Sequence, residues 1–291
     1  MREHAVAGPK GRTLKVAEDG DPGGIPIFGL HGTPGSRVMY SKHVTDAATH
    51  GVRLLAYDRP GYGESTTSQG RSVGDAAADV AAIADELGIE RFGVWGHSGG
   101  GPHALACAAL LPRRVVAAAA LSGLPPPGAE GYDPLEGMGE FNVEDYRLMM
   151  SDRSAWEAKQ ESDRTLVLQA TPDQLLEMLS SLLSDVDRAV ITPELGKFLQ
   201  TQMHEGLRHN ANGIRDDSVA FITAWGFEVS SIRVPIQIWH GAHDRMAPYS
   251  GGQWVAAHVP GAEVHLEPDE GHISIYERRI PEVHRWIASQ F

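Results

Sequence analysis

Four short apolar runs in the first half of the chain restrict its possible folds more than any other feature of the sequence. They lack the regular alternation of apolar and polar residues that a half-exposed strand shows, and glycine follows each run within a few residues. Such runs are typical of strands buried on both faces, as in parallel sheets. The four runs cover residues 25–30, 52–57, 92–95 and 115–121.

Helical patterns separate these runs, and the clearest pattern covers residues 72–87. Its apolar residues recur at helical spacing, Ser72 followed by Asp75 resembles a capping signal, and Gly88 is a suitable stop. Alternation of strands and helices predicts a mostly parallel sheet that is flanked by helices on both faces. The predicted fold class is therefore α/β.

The pattern changes after the break at Pro125-Pro126-Pro127-Gly128. Residues 125–216 contain helix signals, including helix starts at Thr171 and Thr192, and no convincing strand. A helical block of this length indicates an insertion into the α/β core.

Strand patterns return later in the chain, at residues 235–239 and 262–266, and the last helix is predicted over residues 280–291. The core therefore resumes after the helical block. We predict three consecutive parts, namely a first part of the core at 1–124, a helical cap insertion at 125–216 and a second part of the core at 217–291.

The segment Gly96-His97-Ser98-Gly99-Gly100 matches the pattern G-x-S-x-G, and its context gives the match weight. It follows a predicted strand and precedes an alanine-rich helical stretch. A sharp turn from strand to helix holds the central residue in a strained conformation, and small residues at Gly96 and Gly100 avoid clashes there. Because the turn presents Ser98 Oγ at the edge of the sheet, we predict that Ser98 is a nucleophile.

A serine hydroxyl needs a base, and only position discriminates among the 14 histidines of the chain. In the chain order Ser, acid, His, the acid follows a late strand and the histidine follows the last strand. Asp244 meets the first condition and His272 meets the second. Both then lie at the same edge of the sheet as Ser98, where open α/β sheets bind ligands. The loop after residues 115–121 holds no carboxylate, which favours Asp244 as the acid.

Four landmarks together give the chain a resemblance to a known family. In chain order they are His31-Gly32-Thr33-Pro34-Gly35, the stretch 58–65, the turn at Ser98, and the pairing of Gly241-Ala242-His243-Asp244 with Gly271-His272. The chain resembles the α/β-hydrolases that carry a helical cap. The resemblance implies an oxyanion hole formed by the backbone N–H groups of Thr33 and Gly99, and a reaction without a cofactor.

These residues predict a serine hydrolase that cleaves an ester-type bond of a small, mostly apolar molecule. Ser98 attacks the carbonyl, His272 transfers the proton, Asp244 orients His272, and water resolves the acyl-enzyme. Similar enzymes with the same triad include proline-iminopeptidase-like aminopeptidases, carbon–carbon bond hydrolases and perhydrolases. The turn at Ser98 departs from the Gly-Gly-Ser-Trp-Gly that is usual in the aminopeptidases. A ligand receptor with slow or no turnover is the alternative from a different class.

Composition excludes several other classes of protein. The formal net charge of −13 repels phosphate backbones, so nucleic acid is not an expected partner. The longest purely apolar stretch, 115–121, is far too short to span a membrane. The single cysteine, Cys107, forms no intrachain disulfide, no metal site is predicted, and the N-terminal residues do not form a signal peptide. We expect a cytoplasmic protein with a small-molecule substrate, and its oligomeric state is open.

Overall fold

An eight-stranded β-sheet organises the computed structural model, which describes residues 1–291. The strands in chain order are β1 (Arg2–Ala7), β2 (Thr13–Gly20), β3 (Ile25–Leu30), β4 (Val52–Tyr57), β5 (Phe92–His97), β6 (Val115–Leu121), β7 (Ile236–Gly241) and β8 (Glu263–Glu267). They lie side by side in the order β1-β2-β4-β3-β5-β6-β7-β8. Strand β2 is antiparallel to both of its neighbours, and β3 to β8 run parallel to one another.

The sheet confirms the predicted α/β class. The apolar runs at 25–30, 52–57 and 115–121 are strands with the predicted bounds. Strands β5 and β7 extend beyond the predicted runs, to His97 and Gly241, and every residue of both strands is buried. Because these strands are longer than predicted, the loops that follow them begin further toward the carboxyl edge of the sheet.

Eleven α-helices accompany the sheet. They are α1 (Ser41–Thr49), α2 (Asp75–Glu86), α3 (Gly100–Leu110), α4 (Glu140–Ser151), α5 (Arg153–Gln169), α6 (Pro172–Met178), α7 (Asp185–Val190), α8 (Pro193–Gly206), α9 (Asn212–Ile222), α10 (Tyr249–His258) and α11 (His272–Ala288). Helices α1 and α11 cover one face of the sheet, and α2, α3 and α10 cover the other. Each face has its own apolar core.

The hairpin of β1 and β2 has no signal in the sequence that predicts it. Only Val6 of β1 is buried, so this strand lacks the apolar run or the alternation that identifies a buried strand. A short edge strand with charged residues is a usual way to end a sheet without exposing an apolar edge.

Two helix starts differ from the prediction. Helix α2 begins at Asp75, and the Asp75 carboxylate accepts the backbone N–H and the hydroxyl of Ser72 at 2.7 and 3.0 Å, so Ser72 is a donor and not the cap. The last helix, α11, begins at His272 and not at residue 280, with Pro281 inside it. His272 therefore lies in the first turn of a long helix.

Between β6 and β7 the chain forms α4 to α9 and no strand, and residues 140–222 are called the helical segment below. Two of its helices start at the predicted caps. Thr171 accepts the N–H of Gln174 within a capping box, and Thr192 accepts the N–H of Leu195. The cap limits at residues 125 and 216 stay predictions. Helix α9 (Asn212–Ile222) continues past residue 216.

None of the helices combines the length and the hydrophobicity that a membrane span requires.

Candidate active site

Ser98 lies in the turn between β5 and α3, at the carboxyl end of a central strand. Its φ of 56° falls in the left-handed region, which residues with a side chain rarely adopt. The N–H of Ser98 donates to Leu121 O at 2.9 Å, and the N–H of Gly101 donates to Ser98 O at 2.8 Å. These bonds hold the half-buried Ser98 side chain in the wall of a cavity.

The packing around this turn requires both glycines of the motif. A Cβ at Gly96 would lie 2.0 Å from Gly100 O, and a Cβ at Gly100 would lie 2.1 Å from Leu30 O. Both neighbours are backbone atoms that cannot rotate away, so a larger residue would displace β3 or the turn itself. The G-x-S-x-G spacing thus follows from the close approach of β5, α3 and β3.

The loop after β7 and the first turn of α11 bring Asp244 and His272 together. His272 Nδ1 donates to Asp244 Oδ2 at 2.8 Å, and both side chains are buried. The other carboxylate oxygen of Asp244 accepts the backbone N–H groups of Met246 and Ala247 at 2.8 and 2.9 Å. Asp244 is therefore fixed on both sides, and its bond to Nδ1 leaves Nε2 of His272 as the basic nitrogen.

The same contacts shift the two pKa values in opposite directions. Burial alone would raise the pKa of Asp244, but His272 and His240 outweigh it and hold that pKa below its ordinary value. Burial alone would lower the pKa of His272, but Asp244 outweighs it, with a smaller contribution from Asp187, and raises that pKa. The pair combines an ionised carboxylate with a histidine of increased basicity.

Ser98 and His272 line the same cavity, although no hydrogen bond joins the serine hydroxyl to the imidazole. His97 Nε2 donates to the carbonyl oxygen of His272 at 2.9 Å, and the two rings lie 4.6 Å apart. Burial lowers the pKa of His97 to about 3, so this ring stays neutral and supports His272. In enzymes, hydrogen bonds between a nucleophile and its base are often formed only when substrate is bound.

The loop formed by residues 31–33, called the oxyanion loop below, lies beside the turn at Ser98. A Cβ at Gly32 would lie 3.3 Å from Ser98 Cβ. The backbone N–H groups of Thr33 and Gly99 donate no hydrogen bond within the protein, and both residues line the cavity. Two unpaired N–H groups in such a place are able to donate hydrogen bonds to a negatively charged oxygen.

A buried network fixes the oxyanion loop from the side away from the cavity. Arg59 donates to the carbonyl oxygens of His31 and Gly32, the latter at 2.9 Å, and to Thr33 Oγ1 at 3.1 Å. Asp217 Oδ2 accepts both Arg59 Nη2 and the Thr33 hydroxyl at 2.7 Å. Since Asp217 belongs to α9, the helical segment reaches the oxyanion loop through this carboxylate.

Tyr62 and Arg71 complete the surroundings of Asp217. The Tyr62 hydroxyl donates to Oδ2 at 2.8 Å, and Arg71 Nη2 lies 2.6 Å from Oδ1. Burial alone would raise the pKa of Asp217, but Arg59 and Arg71 outweigh it and hold that pKa well below its ordinary value. Asp217 therefore carries a negative charge although its side chain is fully buried.

A second buried carboxylate of the helical segment, Asp187 on α7, contacts the start of α11. Its Oδ1 accepts the backbone N–H groups of Ile273 and Ser274 at 2.8 and 3.0 Å. A Cβ at Gly271 would lie 2.5 Å from the same oxygen, so the glycine before His272 makes room for this carboxylate. Asp187 thus caps the helix that begins with His272.

Asp187 and Asp217 are not among the site residues that the sequence predicts. Neither residue belongs to a motif, and their partners in the oxyanion loop and α11 lie between 86 and 184 residues away along the chain. No local pattern signals such contacts, which only the folded structure shows.

A cavity of about 670 Å³ contains Ser98 and His272 in its wall and is closed on one side by the helical segment. Most of the residues in the wall are hydrophobic. Seven of the eight methionines of the chain line it, and they are called the methionine set below. The set consists of Met39, Met138, Met149, Met150, Met178, Met203 and Met246. This volume suits a small organic molecule.

Each charged side chain in the wall of the cavity, Asp145, Asp163 and Arg164, forms an ion pair with a residue outside the wall. Arg164 is the only arginine or lysine there, and its Nη1 lies 2.8 Å from Glu161 Oε1. The carboxylates of Asp145 and Asp163 both pair with Lys159, at 3.1 and 2.5 Å. No group of three or more histidine, cysteine, aspartate or glutamate side chains is arranged to hold a metal ion. The wall therefore offers a ligand no unpaired guanidinium or ammonium group.

Comparison with known proteins assigns the family. A model of the alpha/beta hydrolase fold matches residues 25–279, so the chain belongs to the α/β-hydrolase-fold family. Its relatives include a non-heme chloroperoxidase of Streptomyces lividans, which is 26% identical over 82% of each chain. A 2-hydroxy-6-oxononadienedioate/2-hydroxy-6-oxononatrienedioate hydrolase of Klebsiella pneumoniae is 25% identical over 92% of this chain and 88% of its own.

A solved structure shows the same fold over the whole chain. The esterase RhEst1 from Rhodococcus sp. ECU1013 covers 100% of both chains with a TM-score of 0.74 and 18% sequence identity. The names of these similar proteins describe different reactions.

Proposed function

We propose that this protein is a serine hydrolase that cleaves esters of small, uncharged, mostly apolar molecules. The observation that carries the proposal is the meeting of three elements at one cavity. These elements are the strained Ser98, the hydrogen-bonded pair of Asp244 and His272, and the unpaired N–H groups of Thr33 and Gly99.

In the first half of the reaction, Ser98 Oγ attacks the carbonyl carbon of the ester while His272 Nε2 takes the hydroxyl proton. The N–H groups of Thr33 and Gly99 stabilise the negative charge that develops on the carbonyl oxygen, each contributing about 3–4 kcal/mol. The intermediate collapses, the carbon–oxygen bond to the alcohol breaks, and His272 returns the proton to the leaving alcohol. The acyl group remains on Ser98.

In the second half, water attacks the acyl carbon while His272 takes one of its protons. The bond to Ser98 Oγ then breaks, the carboxylic acid leaves, and the proton on His272 returns to the serine. Asp244 holds the ring through Nδ1 and stabilises the imidazolium in both halves. No cofactor takes part in these steps.

The charges of the cavity wall favour an uncharged substrate. Arg164 already pairs with Glu161, so a substrate carboxylate would be buried without a counter-charge. Asp145 and Asp163 already pair with Lys159, so neither carboxylate is free for the amino group of an aminopeptidase substrate.

Carbon–carbon bond hydrolysis is the second candidate, because the relative from Klebsiella pneumoniae matches over most of both chains. The substrate in that relative's name, a dienedioate, carries two carboxylates. Binding two carboxylates in an apolar cavity requires unpaired cationic groups, which the wall lacks. Ester hydrolysis is therefore the better supported reaction.

Peracid formation, the reaction of a perhydrolase, is disfavoured by the methionine set. A peracid transfers one oxygen atom to a thioether, which gives a carboxylic acid and methionine sulfoxide. Because seven thioethers line the cavity, a peracid released at Ser98 would oxidise the wall of its own site.

Labelling with an alkyl fluorophosphonate tests the nucleophile. We expect one phosphonyl group per chain, on the peptide that contains Ser98, and none in Ser98→Ala protein, which is the matched control. Peptide mass spectrometry after digestion identifies the site. A folded wild-type protein that takes no label, or takes it elsewhere, would refute the serine-hydrolase proposal.

A pair of esters with acyl groups of equal carbon number tests the substrate class. We expect kcat/KM for p-nitrophenyl butyrate to exceed that for p-nitrophenyl hemisuccinate by at least about tenfold, because only the second ester buries a carboxylate. A preference for the anionic ester would reject the uncharged substrate class. That result would instead favour the second candidate, carbon–carbon bond hydrolysis of a dicarboxylate.

A further inference from the structure

We propose that Asp217 and Asp187 are positioning residues through which the helical segment holds the oxyanion loop and His272 in their working geometry. The proposal rests on the serine-hydrolase function above. It goes further because it gives the helical segment a part in the chemistry besides covering the substrate. Each carboxylate belongs to the helical segment, is fully buried, and contacts a different half of the catalytic site.

Asp217 ties the oxyanion loop to α9. One oxygen, Oδ2, accepts the Thr33 hydroxyl and Arg59 Nη2 together, and Arg59 in turn holds the carbonyl oxygens of His31 and Gly32. The Thr33 hydroxyl and the Arg59 guanidinium therefore share one negative charge, that of Asp217. Without that charge Arg59 would be buried with no nearby counter-charge, and the Thr33 N–H would lose its fixed position relative to Ser98.

Backbone packing makes the connection between the helical segment and these loops rigid. A Cβ at Gly206, the last residue of α8, would lie 2.1 Å from Gly35 O. The N–H of Gly63 donates to Gly206 O at 2.9 Å. A Cβ at Gly61 would lie 2.8 Å from Gly213 N of α9. A displacement of α8 or α9 would therefore be transmitted to the loops that surround the oxyanion hole.

Asp187 ties the start of α11 to α7. It accepts the N–H groups of Ile273 and Ser274, the two residues after His272, so it fixes the backbone from which the histidine projects. Its negative charge also contributes to the raised pKa of His272. Asp187 can therefore act on the histidine by geometry and by charge, and the two effects are separable by substitution.

Other titratable groups that face His272 come from two further elements. Asp244 and His240 approach from β7 and the loop after it, with His240 Nε2 3.4 Å from Asp244 Oδ2. His97 approaches from β5 and has its pKa lowered to about 3 by burial, so it is neutral in the working range. Asp244 and Asp187 are thus the two groups whose negative charges raise the pKa of His272.

The first test is the Asp217→Asn variant. We expect kcat to fall about 10- to 100-fold while KM changes less than about threefold, because the oxyanion hole acts on the transition state more than on the bound substrate. Thr33→Val breaks the same tether from the other end without removing a buried charge. We expect it to fold and to lower kcat about tenfold, with KM again little changed.

The second test compares Asp187→Asn with Asp187→Ala. In Asp187→Asn the amide oxygen of the new side chain still accepts the two N–H groups of α11, but the charge is gone, so the pKa of His272 falls. On the acidic side of the pH profile, kcat/KM falls because His272 becomes protonated and cannot act as a base. With a lower pKa of His272, this acidic limb is expected to move to lower pH. Asp187→Ala also removes the cap, and we expect kcat to fall about tenfold at the pH optimum.

Asp79→Asn is the matched control, because Asp79 is also buried and pairs with an arginine, Arg12, at 2.7 Å, but does not line the cavity. We expect it to lower the melting temperature and to leave kcat and the acidic limb unchanged. The proposal is overturned if folded Asp217→Asn and Thr33→Val resemble this control in kcat, or if Asp187→Asn leaves the acidic limb in place. Failure of the proposed function is a different result, in which wild-type protein takes no phosphonate on Ser98.

Discussion

Two regions of the cavity wall differ in how they are packed. In the region around Ser98, called the floor below, glycine residues pack against backbone atoms. The region formed by the helical segment, called the roof below, presents flexible apolar side chains. In the floor, a Cβ at Gly96 or Gly100 would lie 2.0 or 2.1 Å from a carbonyl oxygen. In α8 of the helical segment, a Cβ at Gly196, which lies outside the cavity wall, would have side-chain carbons as its nearest neighbours, at 3.8–3.9 Å. Gly206 at the end of the same helix differs, because it packs against Gly35 O. Four members of the methionine set, those in α4, α6 and α8, belong to the roof.

The difference separates two requirements that one cavity has to meet. The atoms that make and break bonds have to be held within about 0.5 Å, which close packing and fixed hydrogen bonds provide. The body of the substrate needs only a dry surface of suitable shape, and methionine adapts to different shapes because its side chain is unbranched and polarizable. Substitutions in the floor are therefore expected to affect all substrates, and substitutions in the roof to change the preference among them.

The largest expected effect is the loss of the nucleophile or the base. Ser98→Ala and His272→Ala are each expected to lower kcat about 10⁵- to 10⁶-fold, and the double variant little more, because the two residues act as a unit. Initial rates with p-nitrophenyl butyrate measure this, with circular dichroism as the check on folding. Retention of a tenth of the wild-type rate in either folded variant would contradict the mechanism.

Asp244→Asn is expected to have the next largest effect, a fall of about 10⁴-fold in kcat. The amide would donate to Nδ1 and favour the tautomer that carries its proton on Nε2, which cannot accept the proton of Ser98. The same assay measures the loss. Near wild-type activity would mean that another carboxylate orients His272.

A pair of glycine substitutions contrasts the floor with the helical segment that forms the roof. Gly100→Ala is expected to lower the free energy of unfolding by about 1–3 kcal/mol or more and to reduce kcat, because its Cβ would overlap Leu30 O. Gly196→Ala is expected to raise that free energy by about 0.5–1 kcal/mol, because alanine stabilises a helix interior and has room there. Urea denaturation measures both, and equal effects would show that the two regions tolerate side chains alike.

The parts of the fold that could be predicted from the sequence are those with a local signal. Buried parallel strands are continuous apolar runs, so the sequence predicts the strands at 25–30, 52–57 and 115–121 with the bounds that the structure shows. Strand β1 buries only Val6 and gives no such signal. The predicted start of α11 at residue 280 is too late, because Pro281 resembles a proline in the first turn of a helix. The helical spacing of buried apolar residues begins earlier, at Ile273 and Tyr276, and continues to Ile287.

The residues of the candidate site also fall into two groups, those with a local signal in the sequence and those without one. Ser98, Asp244 and His272 follow strands in a recognisable order, and the structure brings Asp244 and His272 into a hydrogen bond at the cavity that Ser98 lines. Asp187 lies in the predicted cap block and Asp217 just beyond its predicted limit, and the sequence analysis names no separate helix for either residue. Their roles depend on which core loop each helix is packed against. That information lies in contacts far apart along the chain, which a pattern of neighbouring residues does not contain.

The smallest expected effects concern the roof and the length of the acyl group. In a series of p-nitrophenyl esters, kcat/KM is expected to rise by up to about fourfold for each added CH₂, which corresponds to about 0.8 kcal/mol of buried apolar surface, and to fall once the cavity is full. Met203→Ala enlarges the roof, so the optimum is expected to move toward longer acyl groups while kcat for short esters changes less than about threefold. Leu166→Ala, at an exposed position outside the cavity wall, is the control and is expected to leave the profile unchanged. A profile that is flat, or that keeps rising to long-chain esters in the wild-type protein, would mean that the helical segment does not limit the space above Ser98.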